Sequence, residues 1–227
     1  MLFILAHLFL RQTDAYWLHF ITHGSISMKK IIVIGAQGTV GKSVVEELGQ
    51  RHQIIAVGAS SGQYQADISD IAQVRALFAQ TGKVDAVVVA AGALHFGPLS
   101  GFTPEQFRIG IDSKLMGQVN VALVAQEWLN DGGSVTLTSG IVAQQPILNG
   151  ASASMVNSAV EGFVRGAAIE LPRGLRINVV SPTVLEESMD SYGPFFRGFE
   201  PAPGRRVALA YSRSVEGAQT GQIYKVW

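Results

Sequence analysis

Short unbroken apolar runs alternate with segments of helical period along most of this sequence, and that alternation restricts it to very few architectures. Lys30–Gly35 (KIIVIG), His52–Val57 (HQIIAV), Val84–Ala90 (VDAVVVA), Ser134–Ser139 (SVTLTS), Arg176–Ser181 (RINVVS) and Gln222–Trp227 (QIYKVW) read as strands. Several are continuously apolar, as strands covered on both faces are. Helices are expected near Thr39–Gln50, Ile71–Gln80, Pro104–Leu129 with a break, Ser152–Leu171 and Arg205–Val215. In the fourth, Val156, Val160, Phe163 and Ala167 make one apolar face. Strand–helix–strand units with right-handed crossovers predict a single α/β domain, a doubly wound parallel sheet with helices on both sides. Such a sheet binds ligands at the carboxyl ends of its strands.

Composition narrows the function classes. A length of 227 residues leaves no room for a second large domain. Hydrophobic residues make up 48% of the chain and charged residues 15%, against the usual ~25% charged; the combination excludes disorder and points to a surface partly covered by another subunit. With 17 basic and 17 acidic side chains the formal charge is zero, so there is no electrostatic case for nucleic acid or an anionic membrane. Any phosphate must be held locally. The absence of cysteine excludes disulfides, Cys-ligated zinc and thiol catalysis, and fits a cytoplasmic protein. The apolar stretch Met1–Leu10 is shorter than the ~20 residues that cross a bilayer, and it has no signal-peptide flanks. Residues 1–27 are expected to be a leader outside the fold, with Met28 as the natural start; a membrane-surface anchor helix is the competing reading.

Directly after the first strand stands Gly35-Ala36-Gln37-Gly38-Thr39-Val40-Gly41. Glycines there let the chain turn tightly, let a diphosphate approach and let helix and strand pack closely, while the backbone N–H groups from Gly35 to Gly41 and the helix dipole bind the anion. A purely structural turn is the alternative. Gly41-Lys42-Ser43 is not a P-loop, because the position five residues before Gly41 holds Ala36; Lys42 is expected to be solvated. The end of the second strand, Val57-Gly58-Ala59-Ser60-Ser61-Gly62, has no carboxylate to bind a ribose diol or repel a 2′-phosphate. Ser60 and Ser61 can donate to that phosphate, which favours NADP over NAD. Asp67 is either an adenine contact or an Asx-turn residue.

At this point the chain resembles the short-chain dehydrogenase/reductase family over essentially all of residues 28–227. Ala90-Ala91-Gly92 is similar to that family's Asn-Ala-Gly turn, and Gly133–Ser139 to its serine-bearing strand. Glu161-Gly162-Phe163 and Arg173–Pro182 resemble its helix and sixth strand, and Thr220-Gly221-Gln222 the start of its last strand. The resemblance implies a Rossmann-type fold and hydride transfer between a nicotinamide and a carbonyl or alcohol. It also implies a tyrosine acid, a lysine four residues later and a polarising serine. Aligned on Glu161-Gly162-Phe163, Ala153 stands at the tyrosine position and Asn157 at the lysine position; alanine has no proton to give and an amide has no charge. Ser139 remains, its register open by one residue. Lys114 occupies the place of the family's active-site asparagine, so the two positions look exchanged. From there its ammonium either stabilises a developing alkoxide or contacts the nicotinamide ribose, or it snorkels outward or ties down a nearby carbonyl. Ala90, Ala91, Gly92, Asn157 and Pro182 are expected to line the cofactor.

Three further residues have two readings. Tyr192 is a second-choice acid or a lid-packing residue, and His95 a titrating group at the cleft mouth or a solvated loop histidine. Glu186 and Glu187 lack further ligands, so no metal is expected. Two functions follow: an NADP-linked oxidoreductase acting on a small carbonyl or alcohol by a variant mechanism, or an inactive NADP(H)-binding redox sensor or partner subunit. In either case pairing into a homodimer or homotetramer is expected through Pro104–Leu129 and Ser152–Leu171.

Overall fold

The computed structural model describes residues 27–227; apart from Ser27, the expected leader lies outside them. The strands are β1 (Lys30–Ile34), β2 (Gln53–Gly58), β3 (Tyr64–Gln65), β4 (Val84–Val89), β5 (Leu129–Thr138), β6 (Arg176–Pro182) and β7 (Ile223–Val226). They form one parallel sheet in the order β3-β2-β1-β4-β5-β6-β7, the doubly wound arrangement that the alternation predicts. The helices are α1 (Thr39–Gly49), α2 (Ile71–Thr81), α3 (Pro104–Gly110), α4 (Gly117–Trp128), α5 (Ala151–Ala167), α6 (Met189–Tyr192) and α7 (Gly204–Glu216). No helix among the described residues is long and apolar enough to cross a membrane.

Side chains alternate along each strand, so neighbouring residues serve opposite layers. Ile55, Ile32, Val87, Val135 and Ile177 lie side by side across five strands and pack with Val74, Phe78, Val121, Val160 and Val164 of α2, α4 and α5. Ile31, Val33 and Val88 face the other way, onto Val44 and Leu48 of α1 and Val207, Tyr211 and Val215 of α7. Two polar positions on this second face are satisfied across the layer: Thr136 Oγ1 and Asn178 Nδ2 lie 2.6 and 3.1 Å from Ser214 Oγ. Both faces are thus covered, which is why the strands are continuously apolar.

Local chemistry sets the helix boundaries. Asp70 caps α2 by accepting from the Ala72 N–H, and Thr103 and Gln106 form a reciprocal capping box on α3 with Pro104 in its first turn. The break expected in the third helical segment is a π-helical turn, Ile111–Met116, between α3 and α4. The fourth helix is shorter than its sequence pattern: α5 ends at Ala167, and residues 168–170 turn away before Pro172. Among the described strands and α-helices, two have no counterpart in the sequence reading: the two-residue edge strand β3, and the short helix α6 in the crossover after β6.

Gly35 has φ +81°, and a Cβ on Gly41 would run into the Gly35 carbonyl. The turn therefore closes only if both positions lack a side chain. Gly41→Ala is expected to destabilise the fold by about 2–3 kcal/mol, measured by urea unfolding; an unchanged midpoint would show that the turn spreads without cost.

Candidate active site

The glycine turn leaves α1 uncapped. Gly38 occupies the N-cap position without a side-chain hydrogen bond, and the Lys42 N–H is bonded to the Gly38 carbonyl. Helix geometry then leaves the N–H groups of Thr39, Val40 and Gly41 without intrahelical acceptors, at the positive end of the helix dipole. Gln37 and Gly38 are exposed beside them, and Lys42 is solvated. The Gln37 amide reaches across to the loop after β2, where its Oε1 lies 2.8 Å from the position a Gly58 Cβ would take. Ser60 and Ser61 are exposed on this loop. Asp67 accepts from the N–H and Oγ of Ser69 at 2.9 and 2.7 Å, so it forms the Asx-turn; these bonds hold its carboxyl below the usual carboxylate range.

A cavity of about 450 Å³ opens at the carboxyl ends of β4, β5 and β6. Val40, Gly92, Lys114, Ser139, Asn157 and Pro182 all border it, so residues far apart in sequence meet there as expected. Ala90 and Ala91 follow β4 directly and are half-buried. Ala153 and Asn157, one helical turn apart on α5, face the same space. Leu94, Phe96, Ile141, Val142, Val184 and Phe196 make much of its wall apolar, and none of them stood out in the sequence. Tyr192, at the end of α6, lines it from the crossover after β6 and meets Phe96 edge-on at 6.3 Å. His95 lies against Phe102 instead. The Glu187 carboxylate accepts from the Gly204 N–H at the start of α7. Among the described residues no His, Cys, Asp and Glu cluster suits a metal.

Lys114 stands on the π-helical turn, where the Gly117 N–H bonds to the Asp112 carbonyl. Such turns free backbone groups that other atoms must satisfy. Here the buried Gln118 amide does so, donating to the carbonyls of Lys114 and Thr138 at 3.0 and 2.9 Å and accepting from the Thr138 N–H at 2.7 Å. A Cβ on Gly92 (φ +126°) would lie 2.6 Å from Lys114 Cα, so the loop after β4 is pressed against this turn. The ammonium donates to the Ser139 carbonyl at 3.2 Å. Burial pushes the Lys114 amine down to about 8.

The Ser139 hydroxyl does not point at the cavity centre. It donates to Glu161 Oε1 at 3.0 Å, and Gln144 donates to Glu161 Oε2 at 3.3 Å. Glu161 is 3% exposed, so these two donors replace its water shell. The sequence did carry a signal for it: residues 153, 157 and 161 follow one another at helical spacing on one face of α5. Thr138 Oγ1 donates to the Val89 carbonyl at 2.6 Å and is 2.6 Å from the Tyr211 hydroxyl. Asn157 Oδ1 and Thr183 Oγ1 are buried without a hydrogen-bond partner among the described residues.

These features fit a dinucleotide. The uncapped α1 end offers donors for a diphosphate, and Asn157 Oδ1 offers an acceptor for a ribose hydroxyl at the nicotinamide end. Fold and site thus define a nucleotide-binding domain of the doubly wound class. A family model described as enoyl-(acyl carrier protein) reductase matches residues 31–224, and the chain belongs to the short-chain dehydrogenase/reductase family of NAD(P)-dependent oxidoreductases. It is 50% identical to the protein lin1944 from Listeria innocua, whose crystal structure superposes with a TM-score of 0.87 over 88% of this chain and 100% of that one. It is 29% identical over 192 residues to the tetrahydroxynaphthalene reductase PfmaG of Pestalotiopsis fici, 74% of this chain and 69% of that protein. A small-chain dehydrogenase solved in complex with NADPH shares the fold at 23% identity and a TM-score of 0.78, over 88% of this chain and 97% of that one.

Replacing Glu161 with Ala strips the acceptor from the Ser139 and Gln144 donors. The expected cost is about 1–3 kcal/mol, read by urea unfolding, with Glu161→Gln losing less because it keeps one acceptor oxygen.

Proposed function

We propose that the protein is an NADP-linked oxidoreductase of the short-chain type, acting on a small apolar carbonyl or alcohol by a variant mechanism. One observation carries this reading: a single cavity beside the uncapped end of α1 contains both an ammonium and a buried unpartnered amide oxygen. In this reading the chain is a divergent member of its family, with Ala153 and Asn157 where a tyrosine and a lysine usually stand. Gly35, Gln37, Gly38, Thr39, Val40 and Gly41 cradle the diphosphate. Ala90, Ala91, Gly92 and Pro182 border the nicotinamide end, and Asn157 Oδ1 accepts from a ribose hydroxyl. When bound, the dinucleotide supplies or takes up the hydride.

The protein's own part is positioning and charge. Lys114 places positive charge where an alkoxide develops. Ser139 acts through its carbonyl, which holds the ammonium, while its hydroxyl is engaged with Glu161; orienting the substrate oxygen therefore passes to Lys114. The apolar walls exclude water from the reacting centre, and positioning alone supplies a large share of barrier reduction. The exposed Ser60 and Ser61, with no carboxylate from Val57 to Gly62, support NADP over NAD. An NADPH-bound neighbour of the same fold is compatible with this preference. We also place the protein in the cytoplasm.

The second reading, an NADP(H)-binding sensor or partner subunit without turnover, is favoured by the same Ala153 and Asn157. Hydride exchange against a panel of carbonyls and alcohols separates the two. Self-association is proposed through α4 and α5, where Leu123 is 48% exposed beside a groove lined by Phe163, Ala167 and Leu171.

NADPH at a hundred times its dissociation constant is expected to stabilise the fold by about 2.7 kcal/mol, with NAD giving much less, as followed by thermal unfolding and calorimetry. Ser60→Asp is expected to weaken NADP binding roughly tenfold through charge repulsion while leaving NAD binding within twofold. A stronger response to NAD than to NADP would overturn the cofactor assignment.

A further inference from the structure

The proposed reduction needs a proton. Of the five hydroxyl side chains lining the cavity, two are already committed, and those of Thr183 and Ser188 are aliphatic alcohols too weakly acidic to give up a proton near neutral pH. Thr138 donates to the Val89 carbonyl and Ser139 to Glu161. Tyr192 lies in the crossover after β6, 45% exposed. Lys114 differs from all of these. Among the described residues it is the single charged side chain lining the cavity, and its ammonium makes one hydrogen bond with them, to the Ser139 carbonyl. An ammonium carries three N–H donors, so two are left for whatever enters. No carboxylate forms an ion pair with it among the described residues.

Its backbone is held from three sides. Gly92 presses on its Cα, Gln118 binds its carbonyl, and the neighbouring Ser113 Oγ accepts from the Ala93 N–H at 2.9 Å. The titratable groups on the surrounding elements are Asp112 on the same turn, His95 after β4, Glu161 on α5, and Glu186, Glu187, Asp190 and Tyr192 in the crossover after β6. Asp112 and Glu186 are exposed, His95 packs on Phe102, and Glu187 is bonded to Gly204. Glu161 is separated from Lys114 by Ser139, whose hydroxyl it accepts and whose carbonyl the ammonium binds.

Resting on the oxidoreductase reading above, we propose that Lys114 is the proton donor of the reduction and not only a fixed positive charge. The carbonyl carbon receives a hydride from the reduced nicotinamide dinucleotide, and the C=O π pair moves onto oxygen. That oxygen takes a proton from Nζ; the N–H pair stays on nitrogen, leaving a neutral amine that regains its proton from solvent through the cavity mouth. In the oxidative direction the neutral amine takes the alcohol proton. Burial places the amine near 8, within reach of proton transfer at neutral pH. The sign follows: reduction needs the ammonium and fades as pH rises through about 8, whereas oxidation needs the free amine and rises over the same interval.

The test uses NADPH with phenanthrenequinone, an apolar aromatic dicarbonyl suited to the cavity walls, and three forms of the protein: native, Lys114→Arg and Tyr192→Phe. Arginine keeps the charge but does not release its proton. The proposal expects native turnover to fall about tenfold per pH unit above 8 and Lys114→Arg to be at least about 100-fold slower, with no such limb and nucleotide binding retained by calorimetry. Tyr192→Phe is expected to stay within threefold. Independently of turnover, reductive methylation with isotope-labelled formaldehyde gives Lys114 an NMR signal, assigned by its loss in Lys114→Arg, that is expected to titrate near 8. Lys114→Arg with native turnover and an unchanged pH limb overturns the proposal, as does a Lys114 signal titrating above 10. So does a native protein that binds NADPH yet reduces nothing, and that result leaves nucleotide binding intact. Failure to bind any pyridine nucleotide instead removes the oxidoreductase reading and this assignment with it.

Discussion

The parallel sheet is buried on both faces, by α2, α4 and α5 on one side and by α1 and α7 on the other, so its polar backbone is left open only at the strand ends and along the outer edges of β3 and β7. At the carboxyl end of β1 the next helix begins after a turn that only glycine fits, and its first N–H groups remain free. These free N–H groups are the donors proposed to meet a diphosphate. The chain carries no net charge, so the attraction is local and comes from oriented peptide dipoles.

The second constraint is the π-helical turn. Gln118 bonds the Lys114 carbonyl on this turn and ties the helical run to the end of β5. The turn fixes Lys114 against Gly92 and delivers its ammonium to the Ser139 carbonyl. Lys114 is half-buried, and holding an ammonium there without a carboxylate beside it is costly; the lowered amine pKa is how that cost appears. The same packing that disfavours the charge keeps the proton transferable.

Much of this was readable in advance, and the gaps have physical causes. Five of the six expected strands match within a few residues because two-sided burial leaves an unbroken apolar signature. β5 alone begins well before its apolar core, at Leu129, across Asn130–Gly133. β3 is invisible because two residues at a sheet edge carry no period. The break before Gly117 was legible, but its π geometry was not, since it depends on Gln118 finding a partner in β5. Asp67 had two readings; the local bonds from Ser69 to its Oδ1 form the turn and leave Oδ2 available for an adenine amino group. Glu161 served only as an alignment marker, although its spacing from Ala153 and Asn157 put all three on one helical face.

The sequence by itself determined the strands, the helices, the glycine turn and the residue types available for chemistry, because periodicity and backbone freedom are local properties. Only the tertiary structure decided where those residues act. It turned the Ser139 hydroxyl onto Glu161, left Asn157 Oδ1 without a partner, and enclosed the Lys114 ammonium beside a carbonyl. Hydrogen-bond partners and desolvation depend on elements distant along the chain, and the cavity where they meet exists only once β4, β5, β6 and α5 have packed.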